Sequence, residues 1–270
     1  MTDEGVTEED VTEEMRHGMA RVLLVGESWT THSIHTKGFD SFTTSEYAEG
    51  GDAWIEVLRS AGHTVDYLRA HEAPLRFPRT EEELGSWDVV VLSDIGANSL
   101  AITTEVWRGG RTPNPLDVLE RWVRGGGALA MCGGYLSFSG IEAKACFAGT
   151  AVERALPVHI SRTDDRVENP SDGVPRTVVQ DHPVTAGIST DWPAISGYNR
   201  VVAKDGADQL VSVGDDPLLV TSAHGAGRSL AFMTDIGPHW APDEFIASEA
   251  YRTMWPAAID WLAGGSGESR

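Results

Sequence analysis

The chain is short of cysteine, lysine and long apolar runs. Two cysteines in 270 residues cannot build a disulfide framework, which points to a reducing compartment, and we expect a cytoplasmic protein. Only Lys37, Lys144 and Lys204 are lysines, and 21 basic residues face 41 acidic ones, for a formal net charge of -20. Such a balance argues against binding nucleic acid or an anionic membrane. The acidic residues are dispersed beyond the N-terminal stretch, so the excess reads as salt adaptation, in which surface carboxylate keeps a protein solvated while repulsion is screened. The apolar runs are strand-sized, well below the roughly 20 residues of a membrane span. The start, MTDEGVTEEDVTEEM, is acidic where a secretory signal would be basic and then apolar. There is no internal repeat.

What is present is an alternation of short apolar runs with helical periodicity. RVLLVG from Arg21 reads as a strand closed by glycine, and the following ESWTTHSIHTKGFDSFTT reads as a loop rich in reactive side chains. Apolar positions recur at helical spacing from Tyr47 to Ser60, and Thr64 to Leu68 is a second strand. Thr80 with Glu83 resembles a helix-start box, SWDVVVLSD from Ser86 to Asp94 has the character of a strand covered on both faces, and Pro115 to Arg124 reads as a helix ended by three glycines. Ala128 to Met131 is the next strand. Alternation of this kind predicts a doubly wound, mostly parallel α/β sheet. An irregular, proline-bearing insertion covers about 150–200, and from Asn199 hairpin signals at Asp205-Gly206, Gly214-Asp215 and Gly225-Gly227 predict a C-terminal antiparallel β meander, closed by a helix from Glu249 to Leu262. The expected organisation is an acidic tail over 1–18, a single domain over 19–264 and a short tail over 265–270.

Ligands of doubly wound sheets bind at the carboxyl ends of the strands, so the residues just after each strand are the candidates. Cys132 ends the run ALAM and precedes Gly133 and Gly134, as a nucleophile would at a strand-to-helix turn. It could equally be a small buried hydrophobe. A thiolate needs a base, and His239 after the last strand is the candidate imidazole, with Asp235, Asp243 or Glu244 to orient it. Packing of His239 on Trp240 is the plainer alternative. Backbone N–H groups of Gly133 and of Gly96 or Ala97 are candidate oxyanion donors. Glu27, His32, His35, Lys37 and Asp94 are candidates for contacting a small polar substrate, with Tyr198 and Asn199 as further cleft-lining candidates or anchors of the insertion. Glu27, His32, His35 and Asp94 have metal-ligand chemistry, but loop histidines without fixed spacing beside Lys37 favour no metal, and no cofactor is expected. Cys146 reads as packing, and His224 as a hairpin-turn residue.

The blocks GESW…HTKGFDSFTT, SDIGAN, GGGALAMCGGYLSFSGIEAKA, GYNRV, DDPLLV and DIGPHW resemble glutamine amidotransferase-like proteins of the class I fold, related to trehalose-utilisation-type proteins, from about Arg21 to Leu262. The resemblance implies a flavodoxin-like core with Cys132 at the nucleophile elbow, attacking an amide or related carbonyl. The elbow Gly-X-Cys-X-Gly of that fold is half matched, since Ala130 stands two before Cys132 and Gly134 two after. His239 is followed by Trp240, Ala241 and Pro242 rather than Pro-Glu. With no synthetase domain in the chain, released ammonia would require a separate accepting partner. The alternative is a noncatalytic small-molecule-binding or assembly protein that keeps the fold. Sheet edges and several tryptophans would suit a homo-oligomer.

Overall fold

The computed structural model describes residues 19–188 and 190–264; the expected tails, 1–18 and 265–270, lie outside the described residues. Fourteen strands are described: β1 (Arg21–Gly26), β2 (Ser28–Lys37), β3 (Asp40–Glu49), β4 (Thr64–Arg69), β5 (Val89–Ser93), β6 (Ala128–Cys132), β7 (Val158–His159), β8 (Arg166–Glu168), β9 (Pro175–Thr177), β10 (Gly197–Asn199), β11 (Val202–Ala203), β12 (Asp208–Val213), β13 (Asp216–His224) and β14 (Gly227–Phe232). Eight form the central sheet in the order β4-β1-β5-β6-β14-β13-β12-β9. The first five run parallel and the last three pair antiparallel. The parallel part has the flavodoxin-like order, whose direction of winding reverses between β1 and β5 and opens a crevice at their carboxyl ends.

Local chemistry accounts for the elements. β5 and β6 are fully buried apolar runs, as strands with both faces covered must be. The helix α1 (Asp52–Ser60) buries Trp54, Ile55 and Leu58; α2 (Pro115–Arg124) begins with Pro115 at its first position and the Asn114 side chain accepting from Leu116 N–H. The closing helix α3 (Glu249–Ala263) is capped by Ser248, whose hydroxyl accepts from Tyr251 N–H. Trp54 of α1 and Trp255 of α3 meet edge to face at 5.5 Å, and Phe232 of β14 packs on Trp255 at 5.1 Å. Thr80 caps the short helix Glu81–Leu84 through Glu83 N–H, as its spacing predicts.

Four local expectations are corrected. The loop expected after β1 is instead a regular antiparallel ribbon, β2 paired with β3 over ten residue pairs from Ser28↔Glu49 to Lys37↔Asp40, and the helix begins at Asp52 rather than near Tyr47. The helix expected from Gly133 is absent: residues 133–140 form turns and bends, followed by a single 3-10 turn, Ile141–Ala143. Cys146, expected in packing, is exposed, with a left-handed φ of 61°.

Candidate functional site

At the switch between β1 and β5 both strands end in left-handed residues, Glu27 (φ 46°) and Asp94 (φ 43°). Such backbone is uncommon outside glycine and turns each side chain back over the sheet edge. Glu27 is buried, with its N–H donating to Ser93 O at 2.7 Å and its Oε2 accepting from the Ser93 hydroxyl at 2.5 Å. Burial, then the nearby Asp235 and Asp94, push its pKa up to about 8. Burial therefore favours the neutral, protonated form of Glu27. Burial also raises Asp94 to about 6, while the Leu136 N–H donating to Asp94 Oδ1 at 2.7 Å pulls the other way.

The turn after β6 lies beside these acids, and Gly134 is its strained residue, at φ +134°. A Cβ on Gly134 would stand 2.8 Å from Asp94 Oδ1 and 2.9 Å from Asp235 Oδ1, so only glycine lets the two carboxylates approach the turn. Asn199 of β10 fixes that turn, accepting from Gly134 N–H at 3.0 Å and donating to Gly134 O at 3.3 Å and to the buried Asp165 at 2.9 Å. Asp165, which sequence reasoning missed, also accepts from Ser139 and Gly140 N–H. An acid beside Asp164 in a polar, proline-bearing insertion gives no periodic signal by which to find it.

Behind the turn, Asp235 Oδ2 meets His239 Nδ1 at 3.0 Å and accepts from Trp240 N–H at 2.9 Å. Of the three acids left open for orienting the imidazole, Asp235 is the one in contact; Asp243 and Glu244 open a separate short helix, Asp243–Ile246. His239 is half-exposed, and its bond to Asp235 raises its pKa against the opposing effect of burial. Its ring lies edge-on to Tyr135 at 4.5 Å and also packs on Trp240, so contact with Trp240 and pairing with Asp235 coexist.

Cys132 stands at the strand end, as expected, and is buried, as its reading as a small hydrophobe anticipates. It is the last residue of β6, held in register with Ser93 on one side and Phe232 on the other, and has no exposed surface. Burial, with Glu27 and Asp235 adding, drives its pKa well above the usual thiol range. No helix begins behind it, and among the described residues no hydrogen bond joins it to His239. A sealed, protonated thiol lacks the exposure and positive surroundings that make a nucleophile. Two of the three expected oxyanion donors are engaged, Gly133 N–H donating to Thr234 O at 2.9 Å and Ala97 N–H to Ala145 O at 2.8 Å, while Gly96 lines the cleft.

Asp94 and Gly96 line a cleft of about 280 Å³, together with Ser28, Trp29 and Tyr47 at the root of the ribbon and Leu136 after the turn. Tyr198 does not face it: it is buried, and its hydroxyl donates to Asp216 at 2.7 Å. His32, His35 and Lys37 are also elsewhere, exposed on the ribbon. His32 bonds Ser45 and His35 bonds Thr44 on opposite ribbon faces, so the two rings cannot share a ligand. His224 ends β13 and bonds Glu120 at 2.9 Å. The aromatic wall from Trp29 and Tyr47 was hidden because their segment reads as a loop and a helix start.

The fold and this carboxyl-lined crevice define a class I amidotransferase-like α/β protein. Residues 21–264 match the family described as "Putative glutamine amidotransferase", and the chain belongs to that family. It is 42% identical to the cytoplasmic protein STM3548 from Salmonella typhimurium, with a TM-score of 0.86 over 89% of this chain and 98% of that one. It is 39% identical to the cytoplasmic protein STM1381 from Salmonella typhimurium LT2, also at a TM-score of 0.86, over 90% and 99% of the two chains. No curated protein matches the chain.

Proposed function

We propose that this protein binds a small polar molecule at the β1/β5 crevice and has dispensed with the thiol chemistry of its fold. The observation that carries the reading is the exchange of roles at the turn: the cysteine is sealed in β6, and the strained position beside the acids is Gly134, which has no side chain to attack with. The ligand would be rich in hydroxyl or amino groups, because Asp94 in the cleft wall offers an acceptor and disfavours a carboxylate ligand. Trp29 and Tyr47 supply flat apolar walls for its carbon skeleton. In this reading no ammonia is released and no ammonia-accepting partner is needed. A cytoplasmic location fits the reducing-compartment composition and the likeness to the two cytoplasmic Salmonella proteins. No helix among the described residues is long and apolar enough to cross a membrane.

One observation favours a hydrolytic second reading: the Asp235–His239 pair presents a half-exposed imidazole with an oriented ring. There His239 would take a proton from water, with no covalent intermediate. Incubation with glutamine and a panel of small amides, in the parent, Cys132→Ala and His239→Ala proteins, separates the cases. We expect no ammonia from any of them, and a rise in melting temperature with hexoses or polyamines that Asp94→Asn removes. Ammonia release lost only in His239→Ala would establish the hydrolytic reading. Release lost in Cys132→Ala would overturn both.

A further inference from the structure

The ribbon of β2 and β3 pairs with nothing but itself: among the described residues it forms a separate two-stranded sheet, joined to the body at its root. Along its length nearly every residue is exposed. Five of the twelve exposed large apolar side chains described for the molecule lie on it: Trp29, Ile34, Phe39, Phe42 and Tyr47. A lone two-stranded ribbon is marginal in water, and its two outer edges present unpaired backbone groups. Such a surface calls for a cover, and among the described residues no other strand pairs with it.

Charge indicates what covers it. From Thr30 to Ser45 the ribbon carries one cation, Lys37, and one anion, Asp40, hence no net formal charge in a chain of net charge -20. Two such bodies repel when they approach face to face, and the neutral ribbon is where they can meet without opposing charge. Among the described residues Lys37 also has no ion pair, its ammonium lying 5.9 Å from the Phe42 ring centre, so it can meet the acidic surface of another copy. The area suffices. Thr30 to Lys37 make the outer ribbon about 27 Å long and about 10 Å wide, so one face offers about 270 Å². Reciprocal docking covers two ribbon faces and the two patches they meet, about 1,100 Å² in all, above the roughly 1,000 Å² that a biological interface needs.

We propose that the β2–β3 ribbon is an association arm that docks on a second copy of this chain, each copy lending its arm to the other in a two-fold dimer. The docking segment is the outer part, which carries Ile34 on one face and Phe42 on the other, so that substituting both alters whichever face docks; the root, at Trp29 and Tyr47, stays as a wall of the crevice.

The test measures mass in solution for the full-length protein and for Ile34→Asp/Phe42→Asp. These positions are 76% and 52% exposed, so the variant keeps its fold. Multi-angle light scattering at micromolar concentration should give twice the chain mass for the parent and the chain mass for the variant, with unchanged circular dichroism. Hydrogen exchange should show ribbon amides protected at least tenfold in the parent and unprotected in the variant. A monomeric parent would overturn the proposal, and so would a dimeric variant. If the variant misfolds, dilution of the parent decides: ribbon protection that persists in the dissociated monomer contradicts the arm, and protection lost on dissociation supports it.

Discussion

Replacing Gly134 with alanine is expected to cost the fold about 3 kcal/mol or more and to dismantle the crevice. The backbone there has φ +134°, which an L side chain rarely adopts, and the new methyl would lie 2.8 Å from Asp94 Oδ1 and 2.9 Å from Asp235 Oδ1. Neither carboxylate can retreat freely. Asp94 Oδ1 is held by Leu136 N–H, and Asp235 by His239 and Trp240 N–H. The turn cannot give way either, because Asn199 clamps Gly134 at both N–H and O. Urea unfolding should show a lower midpoint with unchanged slope. A variant within about 0.5 kcal/mol of the parent would contradict this packing of turn against acids.

Glu27→Gln is expected to abolish most of the decline in stability between pH 5 and 9. The carboxyl ionises at 4.5 in its ordinary state and at about 8 in the fold, so across that interval the folded protein keeps a proton that the unfolded chain has released. Stability then falls as pH rises, by up to about 1.4 kcal/mol per pH unit from this group. Asp94, raised from 3.8 to about 6, acts in the same direction over the lower part of the range, and His239, also raised, loses its contribution as pH climbs through its folded pKa. Glutamine keeps an acceptor for the Ser93 hydroxyl and cannot ionise. Thermal unfolding should find the two proteins within a few degrees at pH 5 and the variant well above the parent at pH 9. Parallel profiles would show that Glu27 carries no retained proton.

The parallel core was legible because its signals are local and redundant. Pro115–Arg124 has a capping asparagine, an N-terminal proline, an apolar stripe and a glycine stop, and the observed α2 has those bounds. The ribbon was not legible as strands: Thr30, Thr31, Thr36, Thr43 and Thr44 have β propensity, but with neither face packed on the core no apolar–polar alternation marks it. The β-branched runs on either side of Gly38 were the available signal.

At the site, Glu27, Asp94, Asp235 and His239 were proposed from the rule that function gathers after strand ends, and the structure brings them together. Cys132 was proposed by the same rule, with β6 read one residue short. Its small apolar side chain extends the strand, and the turn falls two residues later, on Gly134. Sequence alone does not tell a cysteine that ends a strand from one that begins a turn, since both precede the same pair of glycines.

The sealed thiol is the account's central claim, and Cys132 has an internal control in Cys146, the exposed second cysteine. Alkylation of the native protein with iodoacetamide at pH 7.5, quenched over a time course and mapped by peptide mass, measures both sulfurs in one sample. The account predicts that Cys146 is modified within minutes while Cys132 reacts at least a thousandfold more slowly, catching up only in denaturant. Modification of Cys132 as fast as that of Cys146, slowed by His239→Ala, would contradict it and restore a thiol nucleophile to the crevice.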